Sequence, residues 1–193
     1  MQTWKCGKKY KMIKWTDYIR TIPDYPQQGI NFYDINSLFA GPMFSKAVRE
    51  LSTKVSYYTD NTTHIVGVES RGFVLGAAVA HELNLPFVMV RKKGAKYPGE
   101  LLEESYSLEY GEATLTLQTG LLGHTDRCVI VDDLIATGGS MMATKRLIEK
   151  TGAQALRGLA VIDLQYVRDN KSIDLPVSAL ERVWNGMDGD NTL

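Results

Sequence analysis

From residue 64 onward, short apolar runs alternate with longer amphipathic stretches. The runs at 64–68, 87–90, 113–117, 127–131 and 156–162 have the length and apolar content of buried strands. The stretches at 72–83 and 139–150 carry apolar residues at helical spacing. Strands alternating with helices predict an α/β fold, a mostly parallel central sheet flanked by helices. Such sheets bind ligands beyond the carboxyl ends of their strands, which is where the chemistry is to be sought. Upstream, 13–22 shows helical spacing that Pro23 ends, 23–29 reads as irregular and 30–35 as a short edge segment. A helix follows from Pro42, read as a first-turn proline, to about Tyr57. With no internal repeat and no composition break, residues 13–193 read as one domain. Residues 1–12, with Lys5, Lys8, Lys9 and Lys11, read as a solvated, disordered basic tail.

The most informative stretch begins as Val129-Ile130-Val131 and ends in Asp132-Asp133. A strand interior does not tolerate adjacent unpaired carboxylates, so the pair belongs where the strand leaves the sheet. Their repulsion calls for a partner: vicinal hydroxyls, a metal or basic side chains. Ala136-Thr137-Gly138-Gly139-Ser140 follows, lacks bulky side chains and leads into a helix. Backbone N–H groups at that helix start, the helix dipole and two hydroxyls make a phosphate cradle. Carboxylates beside a phosphate cradle read as a sugar-phosphate site. Glu69-Ser70-Arg71-Gly72 is a second strand-to-helix turn, hence a second anion site, with Arg71 as a planar donor for phosphate oxygens. Neither a P-loop nor a dinucleotide glycine fingerprint is present.

Lys+Arg 22 against Asp+Glu 22 leaves a formal net charge of zero, so any anion must be held by local geometry. Neither nucleic acid nor a membrane is expected as a partner. Cys6 and Cys128 cannot build a disulfide framework, and Cys128 lies in an apolar run typical of a reduced core. The basic beginning has no apolar signal-peptide centre, so a cytoplasmic setting is expected. His64, His81 and His124 show no metal-ligand spacing. The stretch 94–111 is long for a loop in a compact domain and reads as a lid, with 105–110 alternating like a strand.

The segment from Asp132 to Ser140 resembles the phosphoribosyl-pyrophosphate (PRPP) signature of type I phosphoribosyltransferases. Glu69-Ser70-Arg71-Gly72-Phe73, Val90-Arg91-Lys92-Lys93-Gly94 and Ser105-Tyr106-Ser107-Leu108-Glu109-Tyr110-Gly111 narrow the resemblance to the adenine phosphoribosyltransferases. Ile22-Pro23-Asp24-Tyr25-Pro26 through Gly29 is similar to the same family. The resemblance runs from about residue 13 to 165, with about one extra residue near Ala95.

The resemblance implies a type I phosphoribosyltransferase fold with a small N-terminal hood (about 23–36) and a flexible catalytic loop (about 94–111). It implies purine salvage: adenine and PRPP give AMP and diphosphate, with Mg²⁺ carried by PRPP rather than by protein ligands. Asp132, Asp133, Ala136, Thr137, Gly138, Gly139 and Ser140 would hold the ribose and the 5′-phosphate. Ser70, Arg71 and Lys92 would hold pyrophosphate, the first two in a turn that is often a non-proline cis peptide in this family. Arg91 would reach across a homodimer interface to the neighbouring subunit's pyrophosphate. Asn31, Phe32, Tyr33 and Leu134 would surround the base, and Glu109 would exchange a proton at the purine imidazole.

Two positions depart from the family pattern. Tyr33 stands where arginine is usual, and Asn31 where a hydrophobic residue is usual. Either base recognition is re-arranged or Tyr33 faces solvent. Alternatives left open are an enzyme acting on hypoxanthine or guanine, and a non-catalytic PRPP-binding regulator. Oxopurine enzymes typically carry an aspartate at the position of Ala136, which cannot transfer a proton.

Overall fold

Val129 and Val131 point to one side of the sheet and Cys128 and Ile130 to the other, and all four are fully buried. This two-sided burial is why the parallel strands read as continuous apolar runs. The computed structural model describes residues 13–108, 111–168 and 172–184. In chain order the elements are β1 (Arg20–Ile22), β2 (Phe32–Asp34), α1 (Ile35–Phe39), α2 (Phe44–Tyr58), β3 (His64–Val68), α3 (Arg71–Leu83) and β4 (Phe87–Lys92). There follow β5 (Leu101–Ser107), β6 (Glu112–Gln118), β7 (Arg127–Val131), β8 (Leu134–Ile135), α4 (Gly139–Lys150), β9 (Gln154–Leu164) and β10 (Val177–Val183). The central sheet runs β10-β9-β7-β3-β4-β6-β5. Its first five strands are mutually parallel, β6 is antiparallel to both β4 and β5, and β8 pairs with β9.

One core lies between the sheet and α2 and α3, and includes Leu51, Val55, Leu75 and Val79. The other lies under α4 and includes Met141, Ala143, Leu147 and Ile148. Each fully buried leucine or isoleucine contributes roughly 1.5–3 kcal/mol by leaving water. α4 is therefore pinned along its length, and its start, where the phosphate cradle was expected, is fixed with it. Cys128 is free and buried, and burial followed by the nearby Asp126 pushes its thiol up to about 12.

Three expectations change. The helix expected over 13–22 is only a 3-10 turn at Trp15–Tyr18, followed by β1. Burial of Trp15 and Ile19 and pairing of β1 with β2 outweigh the helical spacing. Pro42 lies in the turn before the Met43 N-cap of α2, one step outside the first helical turn. The strand expected over 105–110 is β5, which starts at Leu101 and pairs with β6 from Leu101↔Gln118 to Ser107↔Glu112. β10, at one edge of the sheet, was not anticipated: its mixed Val177-Ser178-Ala179-Leu180-Glu181-Arg182-Val183 carries no clear period. Residues 1–12, read as a tail, lie outside the described residues.

Candidate active site

The parallel strands β3 and β7 are neighbours, so the turns that leave their carboxyl ends lie side by side. The turn after β3 is Glu69-Ser70, a cis peptide, leading into α3. The segment after β7 is Asp132-Asp133, and after the short β8 the chain enters α4 through Gly138, the N-cap, at φ +85°. Neither N-cap residue, Ser70 of α3 or Gly138 of α4, makes a side-chain cap bond, so the Ser70 hydroxyl is not consumed as a cap.

The two turns touch. A Cβ on Gly72 would lie 2.7 Å from the Val131 carbonyl oxygen and 3.0 Å from Asp132 Oδ1, so only glycine lets α3 start this close to the diacid. Arg71 Nε lies 2.7 Å from Asp133 Oδ2, yet its N–H is not aimed at that oxygen, so the contact is an ion pair rather than a hydrogen bond. Asp132 and Asp133 are both buried. Asp132 Oδ1 accepts from the Asp133 N–H at 2.9 Å, and the Ser140 hydroxyl donates weakly to Oδ2 at 3.5 Å. Burial first, and then the adjacent Asp133 charge, push the Asp132 carboxyl well above the ordinary carboxylate range. Burial also raises Asp133, opposed by the Arg71 guanidinium. Among the described residues, two buried carboxylates thus face the single cation of Arg71, a charge imbalance that suits hydroxyl donors or a cation arriving with a ligand.

The small-residue loop continues the site. Thr137 is exposed, and its Oγ1 accepts from the Gly139 N–H at 3.3 Å. The ring of Tyr106 in β5 packs against Gly139. Burial, and next the Asp132 charge, raise the Tyr106 phenol above its ordinary value. β5 is tied to α4 a turn or more further along, where Glu104 bridges Arg146 Nε and Lys150 Nζ, each at 2.5 Å. The hairpin carrying the expected lid is therefore seated on α4, the helix that the Ala136–Ser140 loop opens.

On the other side stands the β1–β2 pair with its connecting segment. Phe32 lies edge-on to Tyr25 at 5.1 Å, and its face meets the Arg71 guanidinium at 5.8 Å. Phe32, Arg71 and Asp133 thus form one continuous contact path from hood to diacid. Tyr33 is not solvent-facing: it is 4% exposed, in the core with Trp15 and Ile19, on the opposite side of β2 from Phe32. That removes the solvent alternative and takes the ring away from the Phe32 face. Asn31 is half-buried just before β2. Leu134 is half-buried against the first core.

Arg91 and Lys92 end β4, beside Glu69. Glu69 Oε2 accepts the Lys92 N–H at 2.8 Å and lies 3.5 Å from Arg91 Nε, whose cation also stacks on Tyr97 at 5.1 Å. Lys92 is exposed. Glu109 lies outside the described residues. Sequence reasoning missed Arg168 and Ile173, which contact the loop at the Ala136 carbonyl and at Gly138; neither stands in a motif that could have flagged it.

A family model of the phosphoribosyl transferase domain matches residues 34–179. Over 150 residues the chain is 45% identical to the adenine phosphoribosyltransferase of Acidovorax sp. (strain JS42), covering 76% of this chain and 80% of that protein. The chain belongs to the adenine phosphoribosyltransferase family. Solved adenine phosphoribosyltransferases share its fold. That of Rhodothermus marinus is 38% identical with a TM-score of 0.77, covering 87% of this chain and 96% of its own. That of Saccharomyces cerevisiae, in complex with an imino-altritol bisphosphate and adenine, is 32% identical with a TM-score of 0.78, covering 86% of this chain and 96% of its own. As in other adenine phosphoribosyltransferases, then, the α/β sheet expected from the alternating pattern is the type I phosphoribosyltransferase fold.

Proposed function

We propose that the chain is a purine-salvage transferase that moves the 5-phosphoribosyl group of PRPP to adenine, releasing diphosphate and forming AMP. The observation that carries this reading is the buried Asp132–Asp133 pair set between two strand-to-helix turns in direct contact. A ribose whose hydroxyls meet the carboxylates has its 5′-phosphate in reach of the loop from Ala136 to Ser140. Its anomeric diphosphate is then in reach of Ser70, Arg71 and Lys92. Hydroxyls donating to Asp132 replace the water it has lost and make the charged carboxylate tolerable. Phe32 and Leu134 give the base an apolar seat, and a good aromatic stack contributes about 0.5–1.5 kcal/mol. Main-chain groups around Asn31 read the edge of the purine, while Tyr33 supports the hood from within the core. With both ends of the sugar held and the base stacked, positioning lowers the barrier. The C1′–diphosphate bond breaks as the C1′–nitrogen bond forms. Glu109 takes the proton from the purine imidazole, and the β5–β6 hairpin excludes water from the cationic sugar.

Among the described residues no group of three or more His, Cys, Asp or Glu could hold a metal ion. Two carboxylates against one guanidinium nevertheless suit Mg²⁺ delivered on PRPP, and Asp132 and Asp133 would face the ribose hydroxyls of that complex. The ion supplies charge neutralisation for the departing diphosphate. No helix among the described residues is long and apolar enough to cross a membrane, and a cytoplasmic setting suits the proposed substrates.

We take adenine over an oxopurine because Ala136 offers no acid near the base. Purified protein with PRPP and Mg²⁺, offered each purine separately, should form nucleotide from adenine alone. In the same assay Glu109→Gln should lose turnover far more than PRPP affinity. Turnover with hypoxanthine or guanine selects the oxopurine reading, and PRPP binding without turnover the regulator.

A homodimer completes the reading. Met89, exposed two residues before the half-buried Arg91 on β4 and so on the same side of that strand, and Val74, exposed on α3, are apolar positions that a second copy could cover while receiving Arg91 at its own diphosphate. Arg91→Ala and Asp132→Asn, each inactive alone, should regain about a quarter of wild-type activity when refolded together. Half of the randomly paired dimers are then mixed, and each has one intact site. No recovery, with mixed dimers shown by native mass spectrometry, would mean that Arg91 serves its own subunit.

A further inference from the structure

We propose that Arg168, held by the buried Asp163, is a positioning residue for the 5′-phosphate, acting from behind the loop of Ala136 to Ser140. Arg168 and Ile173, in the described parts of the connection between β9 and β10, both contact that loop. Arg168 Nη1 donates to the Ala136 carbonyl at 3.2 Å. The same nitrogen lies 2.5 Å from Asp163 Oδ1, a charge contact rather than a hydrogen bond. Both side chains are buried, Asp163 at 0% and Arg168 at 6% exposure. Gln165 also donates to Asp163, and Arg182 Nε lies 3.7 Å from its second oxygen. Five residues on from Arg168, Ile173 presses on Gly138, where a Cβ would come within 2.7 Å of its Cδ1. Lys145 of α4 then ties to Asp174 at 2.9 Å.

The consequence follows from peptide geometry. In a trans peptide the carbonyl and the next N–H point in opposite directions, and the Ala136–Thr137 peptide is trans. Pinning the Ala136 oxygen to Arg168 behind the loop turns the Thr137 N–H toward the front. On the proposed reading the 5′-phosphate meets the Thr137 N–H from that side, together with the first-turn N–H groups of α4. Ile173 closes the back at Gly138, whose φ of +85° is left-handed and suits glycine. A buried ion pair is a costly way to gain stability, and apolar residues of similar volume often serve as well. Its place against one loop carbonyl gives it a positional role instead.

This inference rests on the proposed reading of the loop as the 5′-phosphate site, and the test separates the two. Ribose 5-phosphate reports on the Ala136–Ser140 loop, while inorganic pyrophosphate with Mg²⁺ reports on the Arg71 turn. In calorimetric titrations Arg168→Gln should weaken ribose 5-phosphate about tenfold, the scale of one charge-assisted hydrogen bond, and leave pyrophosphate within about twofold. In turnover KM for PRPP should rise by a similar factor while KM for adenine holds. Arg168→Lys keeps the charge against Asp163 without the fixed fork. It should show a smaller loss confined to the same ligand, and it decides the matter if the glutamine variant does not fold. Equal losses for both ligands, or no loss for ribose 5-phosphate, overturn the inference. Wild-type protein that ignores ribose 5-phosphate overturns the reading beneath it.

Discussion

Gly72→Ala is expected to lower kcat/KM by about a hundredfold while leaving a folded protein, because it separates the two turns proposed to hold the substrate's phosphates by a fraction of an ångström. The added methyl would meet the Val131 carbonyl oxygen at 2.7 Å, Asp132 Oδ1 at 3.0 Å and Asp132 Cα at 3.2 Å. Two of these three atoms are main chain, so no rotamer change relieves the contact. Either α3 moves outward along its first turn or the end of β7 does. Arg71 rides on the first and Asp133 on the second, and their ion pair at 2.7 Å spans the gap that must open. Overpacking of this kind costs about 1–3 kcal/mol, which for a chain of this size is a fall in Tm of roughly 2–12 °C. Activity should suffer more, because PRPP must be gripped by both turns at once. A thermal melt together with steady-state kinetics checks the split. Near wild-type kcat/KM would mean that the turns act independently.

The same contact shows why the fold was more legible than the site. β3 and β7 coincide with the runs at 64–68 and 127–131, because a strand buried on both faces is apolar at every position after its half-buried first residue, His64 or Arg127. α3 and α4 end where periodicity ends, one residue or less from expectation. Residues 13–22 misled because Trp15 and Ile19, four apart, are buried by a 3-10 turn and the bend that leads from it into β1 rather than by one helix face. The diacid, Arg71 and the small-residue loop are marked in the sequence by residue types that a core would reject. What supports them is not marked. Arg168 is one more cation among 22 and Ile173 one more aliphatic, and only the return of the chain behind the loop gives either a role. Tyr33 shows the reverse: its departure from the family pattern drew attention, yet the ring belongs to the core.

The diacid itself should trade stability for activity, and Asp132→Asn exposes both sides. Burial and the Asp133 charge hold the Asp132 carboxyl well above its ordinary range, so the folded state keeps its proton to higher pH than the unfolded chain does. The contribution of this group to stability is then greatest below the unfolded carboxylate value. It falls as pH rises from the unfolded carboxylate value of about 3.9 through the raised folded value. Asparagine removes the titrating charge. Its amide oxygen can still accept from the Asp133 N–H, now 2.9 Å from Oδ1, so the local turn survives. The variant without ligands should therefore melt a few degrees above wild type at about pH 8, with the difference closing toward about pH 4. Activity should move the other way. A carboxylate accepting ribose hydroxyls makes charge-assisted bonds of about 1.5–3 kcal/mol each, so losing one or two lowers kcat/KM by about a hundredfold or more. Melting curves across pH, set beside kinetics at neutral pH, read both effects from one variant. A variant less stable than wild type at about pH 8 would mean that partners already neutralise Asp132 in the free protein. The case for a pocket left short of hydroxyls and positive charge until its substrate arrives would then fall.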